Sequence, residues 1–172
     1  MTPRALAAAA RRVRLLVLDV DGVLTDGGLV YGARGEETKR FSVYDGLAMV
    51  AATRAGLRLA VISGRQSSAV ARRMAELGVD EVHQGVRDKV AALAALMRRL
   101  RVARAAVAAM GDDLPDLGMM LRAGVALAPA NAVPEVRRAA AWISRRPGGQ
   151  GAVREAIEML LRARKDWPPT SP

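Results

Sequence analysis

Leu15-Leu16-Val17-Leu18-Asp19-Val20-Asp21-Gly22-Val23-Leu24-Thr25 is the stretch on which the fold turns. Its apolar run, Leu15–Leu18, ends abruptly in a carboxylate. A short run without polar alternation reads as a strand buried on both faces. Side chains alternate along a strand, so residues i and i+2 point the same way. Asp19 and Asp21 are therefore expected to face one cavity where the strand runs out. Two carboxylates that close repel, and one is driven towards its protonated form unless a cation intervenes. A hard cation such as Mg²⁺, which prefers oxygen ligands, resolves that conflict.

The same pattern recurs along the chain. Leu57–Ile62 ends at Ser63, and Ala105–Met110 ends at Gly111-Asp112-Asp113. Shorter strands are predicted at Val79–Val82, Val125–Ala128 and Ala139–Ile143. Helices are predicted over Thr2–Arg12, from Asp45 as cap to Arg54, and over Ser67–Leu77, Arg87–Leu100, Pro115–Arg122 and Gly151–Arg164. Gly56 and Gly78 stop two of them. Leu29–Tyr31 and Thr38–Val43 flank the turn Gly32–Gly35 and predict a hairpin. Strands alternating with helices across short loops give an α/β domain with a Rossmann-like, mostly parallel sheet flanked by helices. One domain is expected over residues 1–165, with a hairpin insertion at about 27–43 and a loose, Pro-rich tail over 166–172. Such sheets bind ligands at the carboxyl ends of their strands. Asp19, Ser63 and Asp112 thus point to one site. The acidic cluster Asp112, Asp113 and Asp116 can complete a cation site there, with Asp113 also capping the helix that follows.

Composition removes several function classes. The chain is 51% hydrophobic but only 3% aromatic, so its core is built from Ala, Val and Leu. It has no cysteine, which excludes a disulfide framework and any thiolate nucleophile or metal ligand. No apolar run approaches the roughly 18 residues of a membrane span. Ala5–Ala10, followed by Arg11, Arg12 and Arg14, lacks the order of a secretory signal. A cytoplasmic location and no membrane partner are expected. The net charge of +10 is nearly all arginine, scattered over several helices without aromatic residues to stack on bases. No nucleic-acid partner is expected, and the positive field suits a small anionic substrate.

Asp19-Val20-Asp21-Gly22-Val23-Leu24-Thr25 resembles the first motif of the haloacid dehalogenase superfamily, DxDGxxT. Ser63-Gly64-Arg65 stands where the second motif places a hydroxyl residue, and Lys89 resembles the third. Gly111-Asp112-Asp113-Leu114-Pro115-Asp116 matches the fourth, GDDxxD. Glu36–Phe41, Tyr44-Asp45-Gly46, His83-Gln84-Gly85 and Gly148–Glu155 are similar to the subfamily without a cap domain. That subfamily contains 3-deoxy-D-manno-octulosonate 8-phosphate phosphatases and relatives acting on nonulosonate 9-phosphates.

The resemblance implies a Mg²⁺-dependent phosphatase for a small phosphorylated sugar acid. Asp19 would be the nucleophile that forms an aspartyl-phosphate, and Asp21 the general acid and base. Ser63, Gly64, Arg65 and Lys89 would hold substrate, Ser63 and Lys89 at the phosphate and Arg65 at the sugar carboxylate. Asp19, Asp112 and the backbone carbonyl of Asp21 would hold Mg²⁺, with Asp113 and Asp116 orienting bound water and Lys89. It also implies a homotetramer assembled through the hairpins; Gly148–Gly151, by its glycine content, reads as a mobile stretch able to reach over a neighbouring site as a lid, or as an ordinary loop. Tyr31, Phe41, Tyr44 and His83 are read as packing residues, and Met119 and Met120 as helix core. The competing readings are a nonulosonate 9-phosphate phosphatase and a non-catalytic oligomerisation module. The intact set Asp19, Asp21, Ser63, Lys89 and Asp112 argues against the module.

Overall fold

A computed structural model describes residues 1–168. The elements in chain order are α1 (Pro3–Ala10), β1 (Leu15–Leu18), β2 (Val30–Tyr31), β3 (Glu37–Thr38), α2 (Val43–Arg54), β4 (Arg58–Ile62), α3 (Ser68–Glu76) and β5 (Glu81–His83). Then come α4 (Lys89–Leu100), β6 (Val107–Met110), α5 (Leu114–Arg122), β7 (Val125–Ala128), α6 (Pro134–Ala139), β8 (Trp142–Ile143) and α7 (Ala152–Arg164). Six strands form one sheet in the order β5-β4-β1-β6-β7-β8, and every pairing is parallel.

The period of two explains the layers. Leu16 and Leu18 pack with Ala48, Met49 and Ala52 of α2 and with Ala156, Ile157 and Leu160 of α7. Leu15 and Val17 pack on the other face with Leu93 and Leu96 of α4, Met119 and Met120 of α5 and Val136 of α6. Each fully buried leucine contributes about 1.5–3 kcal/mol by leaving water. Both faces of β1 are dry, which is why its sequence shows no polar alternation.

The chain leaves β1 first towards β4 and β5, then returns to its other side for β6, β7 and β8. The strand order reverses beside β1, and such reversals open a crevice at the carboxyl ends of the strands. Between β1 and α2 the chain inserts only the small antiparallel hairpin β2–β3. No cap domain accompanies it among the described residues.

Several local expectations need correction. The second hairpin strand stops at Thr38 rather than Val43. Ser42, not Asp45, caps α2, its hydroxyl accepting from the N–H groups of Tyr44 (3.2 Å) and Asp45 (3.4 Å). Asp45 is buried and accepts from Gly151 N–H (3.2 Å) and Arg154 N–H (2.7 Å), tying α2 to the start of α7. Pro134 opens a short helix, α6, ahead of the last strand, as its fixed φ favours a first helical position. That strand is only Trp142–Ile143.

The glycine-rich segment is not a free lid. Gly149 N–H donates to Val23 C=O (3.0 Å), and Gly148 N–H donates to Asn131 Oδ1 (2.7 Å). A Cβ on Gly148 would stand 1.9 Å from the carbonyl oxygen of Gly22, so only glycine fits. The segment is seated on the 22–25 turn of its own chain. Of the tail expected over 166–172, Trp167 packs against the α-helical layer with Arg154 over its ring at 5.8 Å. Residues 169–172 lie outside the described residues.

Candidate active site

Asp19 follows directly from β1, and its backbone N–H donates to Met110 C=O at 3.0 Å. That bond extends the β1–β6 register one residue past the strand, so the carboxylate emerges beside the end of β6. Its neighbour there is Asp112. Gly22, at φ +83°, carries the chain close by: a Cβ on it would lie 2.0 Å from Asp112 Oδ2. Any other residue would displace the Asp112 carboxylate and strain the backbone at its positive φ.

Lys89 is the first residue of α4, which Asp88 caps through Val90 N–H and Ala91 N–H, both at 2.9 Å. Its ammonium donates to Asp19 Oδ1 (2.7 Å) and to Asp116 Oδ1 (2.6 Å). Burial by itself would lower the Lys89 pKa, but the charges of Asp19 and Asp116 outweigh it and raise the pKa. Lys89 is therefore a cation at neutral pH. Asp116 also gathers the loop after β6, its Oδ2 accepting from Asp112 N–H (3.1 Å) and Asp113 N–H (3.4 Å). Asp113 caps α5 through Leu114 N–H at 2.7 Å.

One carboxylate oxygen from each of Asp19, Asp112 and Asp116 falls within 4.8 Å of the others. Burial pushes Asp19 up to about 6, with Asp116 adding to the rise and Lys89 opposing it. Burial pushes Asp112 up to about 7, reinforced by Asp19, Asp116 and Asp113. Three clustered carboxylates face one ammonium, so the site carries excess negative charge that disfavours full ionisation. The donor set is all oxygen and contains no sulfur. It fits a hard divalent cation such as Mg²⁺.

The carboxylate of Asp21 stands apart from this cluster. Its Oδ1 accepts from Lys39 Nζ at 2.5 Å, and its Oδ2 lies 3.9 Å from Arg65 Nε. The Asp21 side chain thus lies outside the carboxylate cluster.

Ser63 follows β4 directly and is buried, its N–H donating to His83 C=O (2.9 Å) and its carbonyl accepting from Val86 N–H (3.0 Å). Arg65 N–H turns back on Ser63 Oγ at 3.2 Å. The Arg65 guanidinium is half-exposed and donates to Glu37 Oε2 (2.5 Å) and Tyr31 Oη (3.2 Å). A cleft of about 340 Å³ is lined by Asp19, Asp21, Ser63, Arg65, Lys89 and Asp112, with Gly64, Asp113 and Asp116 also at its wall. All the residues singled out by sequence meet there. Sequence reasoning quoted Glu37 and Lys39, which close the hairpin side, only within the Glu36–Phe41 resemblance and gave them no role; it missed Asn131 altogether. Asn131 donates to Gly22 C=O (3.1 Å) and accepts from Gly148 N–H, holding the first loop from behind. None of the three carries a local signal for its role, because each acts through tertiary contacts. Met119 and Met120 are buried, and His83 sits on β5 beside Glu81 at 3.3 Å.

A family of haloacid dehalogenase-like hydrolases matches residues 81–157. The 3-deoxy-D-manno-octulosonate 8-phosphate phosphatase of Escherichia coli K12 is 42% identical over 156 residues, 91% of this chain and 83% of that protein. The Yersinia pestis phosphatase of the same name is 38% identical over 154 residues, 90% of this chain and 82% of that one. Among solved structures, the Moraxella catarrhalis phosphatase in complex with magnesium, phosphate and KDO aligns with a TM-score of 0.94 at 38% identity, covering 96% of this chain and 95% of that one. The cobalt-bound Haemophilus influenzae phosphatase aligns with a TM-score of 0.89 at 37% identity, covering 92% of each chain. Likeness that runs nearly end to end in both sequence and shape shows that this chain belongs to the 3-deoxy-D-manno-octulosonate 8-phosphate phosphatase family, a capless branch of the haloacid dehalogenase-like phosphoric monoester hydrolases.

Proposed function

We propose that this enzyme hydrolyses 3-deoxy-D-manno-octulosonate 8-phosphate to the free sugar acid and inorganic phosphate, using Mg²⁺ and an aspartyl-phosphate on Asp19. The observation that carries the reading is the buried Lys89–Asp19 pair inside a carboxylate cluster at the mouth of the β1–β6 crevice. The substrate assignment is supported by relatives of that name at 38–42% identity.

The chemistry divides between two carboxylates. Asp19 attacks phosphorus, the bond from phosphorus to the sugar oxygen breaks, and Asp21 gives its proton to that departing oxygen. Asp21 then takes a proton from water as the water oxygen attacks phosphorus. The bond to Asp19 breaks, phosphate leaves, and Asp21 is protonated again. Lys89 holds Asp19 in place and presents positive charge to the phosphate. The Ser63 hydroxyl and the open backbone at Gly64 receive a phosphate oxygen. Arg65 takes the sugar carboxylate as a bidentate pair, in place of part of its bonding to Glu37 and Tyr31. Asp19, Asp112 and the Asp21 carbonyl would hold Mg²⁺, which would offset the negative charge between nucleophile and phosphate. Asp116 fixes Lys89 and the 112–113 backbone, and Asp113, which starts α5, would orient water bound to the cation.

Self-association as a homotetramer fits the same reading. Leu29, Val30 and Tyr31 on the hairpin, and Val43, Tyr44 and Leu47 at the start of α2, are exposed apolar side chains. We place the enzyme in the cytoplasm, because a charged sugar phosphate stays in the compartment that makes it. No helix among the described residues is long and apolar enough to cross a membrane.

The test is phosphate release from 3-deoxy-D-manno-octulosonate 8-phosphate, from a nonulosonate 9-phosphate and from common sugar phosphates. Release that favours the first, needs Mg²⁺ and stops with EDTA supports the proposal. Preference for the nonulosonate would keep the mechanism and replace the substrate, whereas no release from any phosphate would overturn both.

A further inference from the structure

Lys39 belongs to none of the four motifs, yet its side chain is only 1% exposed. It follows β3, at the foot of a hairpin whose β2 strand is exposed. Its ammonium meets Asp21 Oδ1 at 2.5 Å and Glu37 Oε1 at 3.1 Å. The second oxygen of Glu37 takes the Arg65 guanidinium. The two oxygens of Asp21 therefore have unlike surroundings. Oδ1 is pinned by a buried cation, while Oδ2 meets Arg65 Nε only at 3.9 Å, beyond hydrogen-bond reach.

A buried ammonium is an expensive way to anchor a hairpin. Two residues on, Phe41 anchors the same segment by packing against the core. Lys39 does something Phe41 cannot. Asp21 lies two residues from Asp19, and strand alternation alone would aim both carboxylates at one place. The cation cluster nonetheless consists of Asp19, Asp112 and Asp116, without Asp21. The chain turns from Val20 onwards, and the ion pair with Lys39 holds the Asp21 side chain outside the cluster.

We propose that Lys39 is a positioning residue for leaving-group protonation: it pins Asp21 Oδ1, keeps that carboxylate out of the cation cluster, and leaves Oδ2 to carry the proton to the departing oxygen. The proposal rests on Asp21 being the acid and base described above. When the bond from phosphorus to the leaving oxygen breaks, its electron pair goes to that oxygen, and the proton on Oδ2 follows it. Glu37 balances the charge of Lys39, so the hairpin brings a neutral pair to the site rather than a bare cation.

The dependence of rate on leaving group separates this role from a structural one. Substituted phenyl phosphates carry no carboxylate or sugar for the hairpin to recognise, so a displaced hairpin lowers all of them alike. Lost proton delivery instead penalises poor leaving groups. The experiment measures kcat/KM with Mg²⁺ for a series from phenyl phosphate to 2,4-dinitrophenyl phosphate, in wild type, Asp21→Asn, Lys39→Met and Lys39→Gln. Asp21→Asn is expected to lose about a hundredfold more on phenyl than on dinitrophenyl phosphate, the scale of general acid catalysis. Lys39→Met is expected to lose at least about tenfold more on the poor leaving group, through misplacement of the same acid. Lys39→Gln, neutral but still polar beside Glu37, is expected to steepen the dependence likewise, and it decides the matter if circular dichroism shows that Lys39→Met does not fold. A uniform loss across the series, or none, in the Lys39 variants while Asp21→Asn discriminates would overturn the role of Lys39 alone. An unchanged dependence in Asp21→Asn would overturn the acid assignment and this proposal with it.

Discussion

Asp19 and Asp112 are more easily protonated than ordinary carboxyls, and this gives the metal site a testable pH signature. Burial is the first cause in both, bringing them up to about 6 and about 7. In an unfolded chain both would ionise near pH ~4. Between those limits these two groups hold more protons in the folded, metal-free protein than in the unfolded chain, so their contribution to stability falls as pH rises from about 4 to about 7. Mg²⁺ competes with those protons, and its stabilisation grows over the same interval. The rise in Tm on adding Mg²⁺ is expected to be small near pH ~5 and to level off by pH ~8. A rise independent of pH would place the cation elsewhere. At this scale the sequence was informative where a residue stood just past a strand within a motif, as Asp19, Ser63 and Asp112 do, and at Lys89, which opens α4, through its motif alone. Lys39 was given no role and Asn131 escaped, because nothing local distinguishes a buried polar side chain from a solvated one. Their partners, Asp21 and Gly22, lie 18 and 109 residues away.

At the scale of elements, the site depends on loops held from behind. The 22–25 turn is seated against the Gly148-Gly149 backbone. Gly148→Ala would drive a Cβ into the Gly22 carbonyl at 1.9 Å. It is expected to cost about 1–3 kcal/mol, as overpacking does. A lowered urea midpoint with reduced phosphatase activity would show it, since Asp21 and Gly22 share the displaced turn; an unchanged midpoint would contradict the packing described. Asp45 acts similarly for α7, accepting from two N–H groups at a helix start whose N-cap, Gly151, supplies no side chain. Asp45→Ala leaves those donors without their partner and is expected to cost about 1–3 kcal/mol, read by the same denaturation. The strands β1, β4 and β6 were legible because a short, continuous apolar run between turn residues suits a strand covered on both faces. The start of α2 was not, because Ser42 and Asp45 are both good caps and only the fold decides which one turns inward to meet α7. Glycine richness in 148–151 suggests mobility, whereas it reflects close approach of two backbones.

For the whole molecule, the exposed apolar side chains of the hairpin and of α2 set the expected assembly. Val43 is 72% exposed and Tyr44 64%, and the hairpin that precedes them in the chain bears the exposed Val30 and Tyr31. Tyr44→Glu is expected to shift a tetramer towards smaller species in light scattering. A wild-type protein that is already monomeric at micromolar concentration would contradict the assembly. Overall class was legible from composition and strand–helix alternation, whereas the surface was not, since exposed apolar residues look like core residues until the fold sorts them. The central claim is that Asp19 carries the phosphoryl group, and rapid acid quench followed by peptide mass spectrometry tests it most directly. With 3-deoxy-D-manno-octulosonate 8-phosphate and Mg²⁺, the peptide containing Asp19 is expected to gain one phosphoryl group during turnover, and Asp19→Asn to show neither that adduct nor phosphate release. Phosphate release that persists in Asp19→Asn, or turnover with the adduct on another residue, would contradict the account.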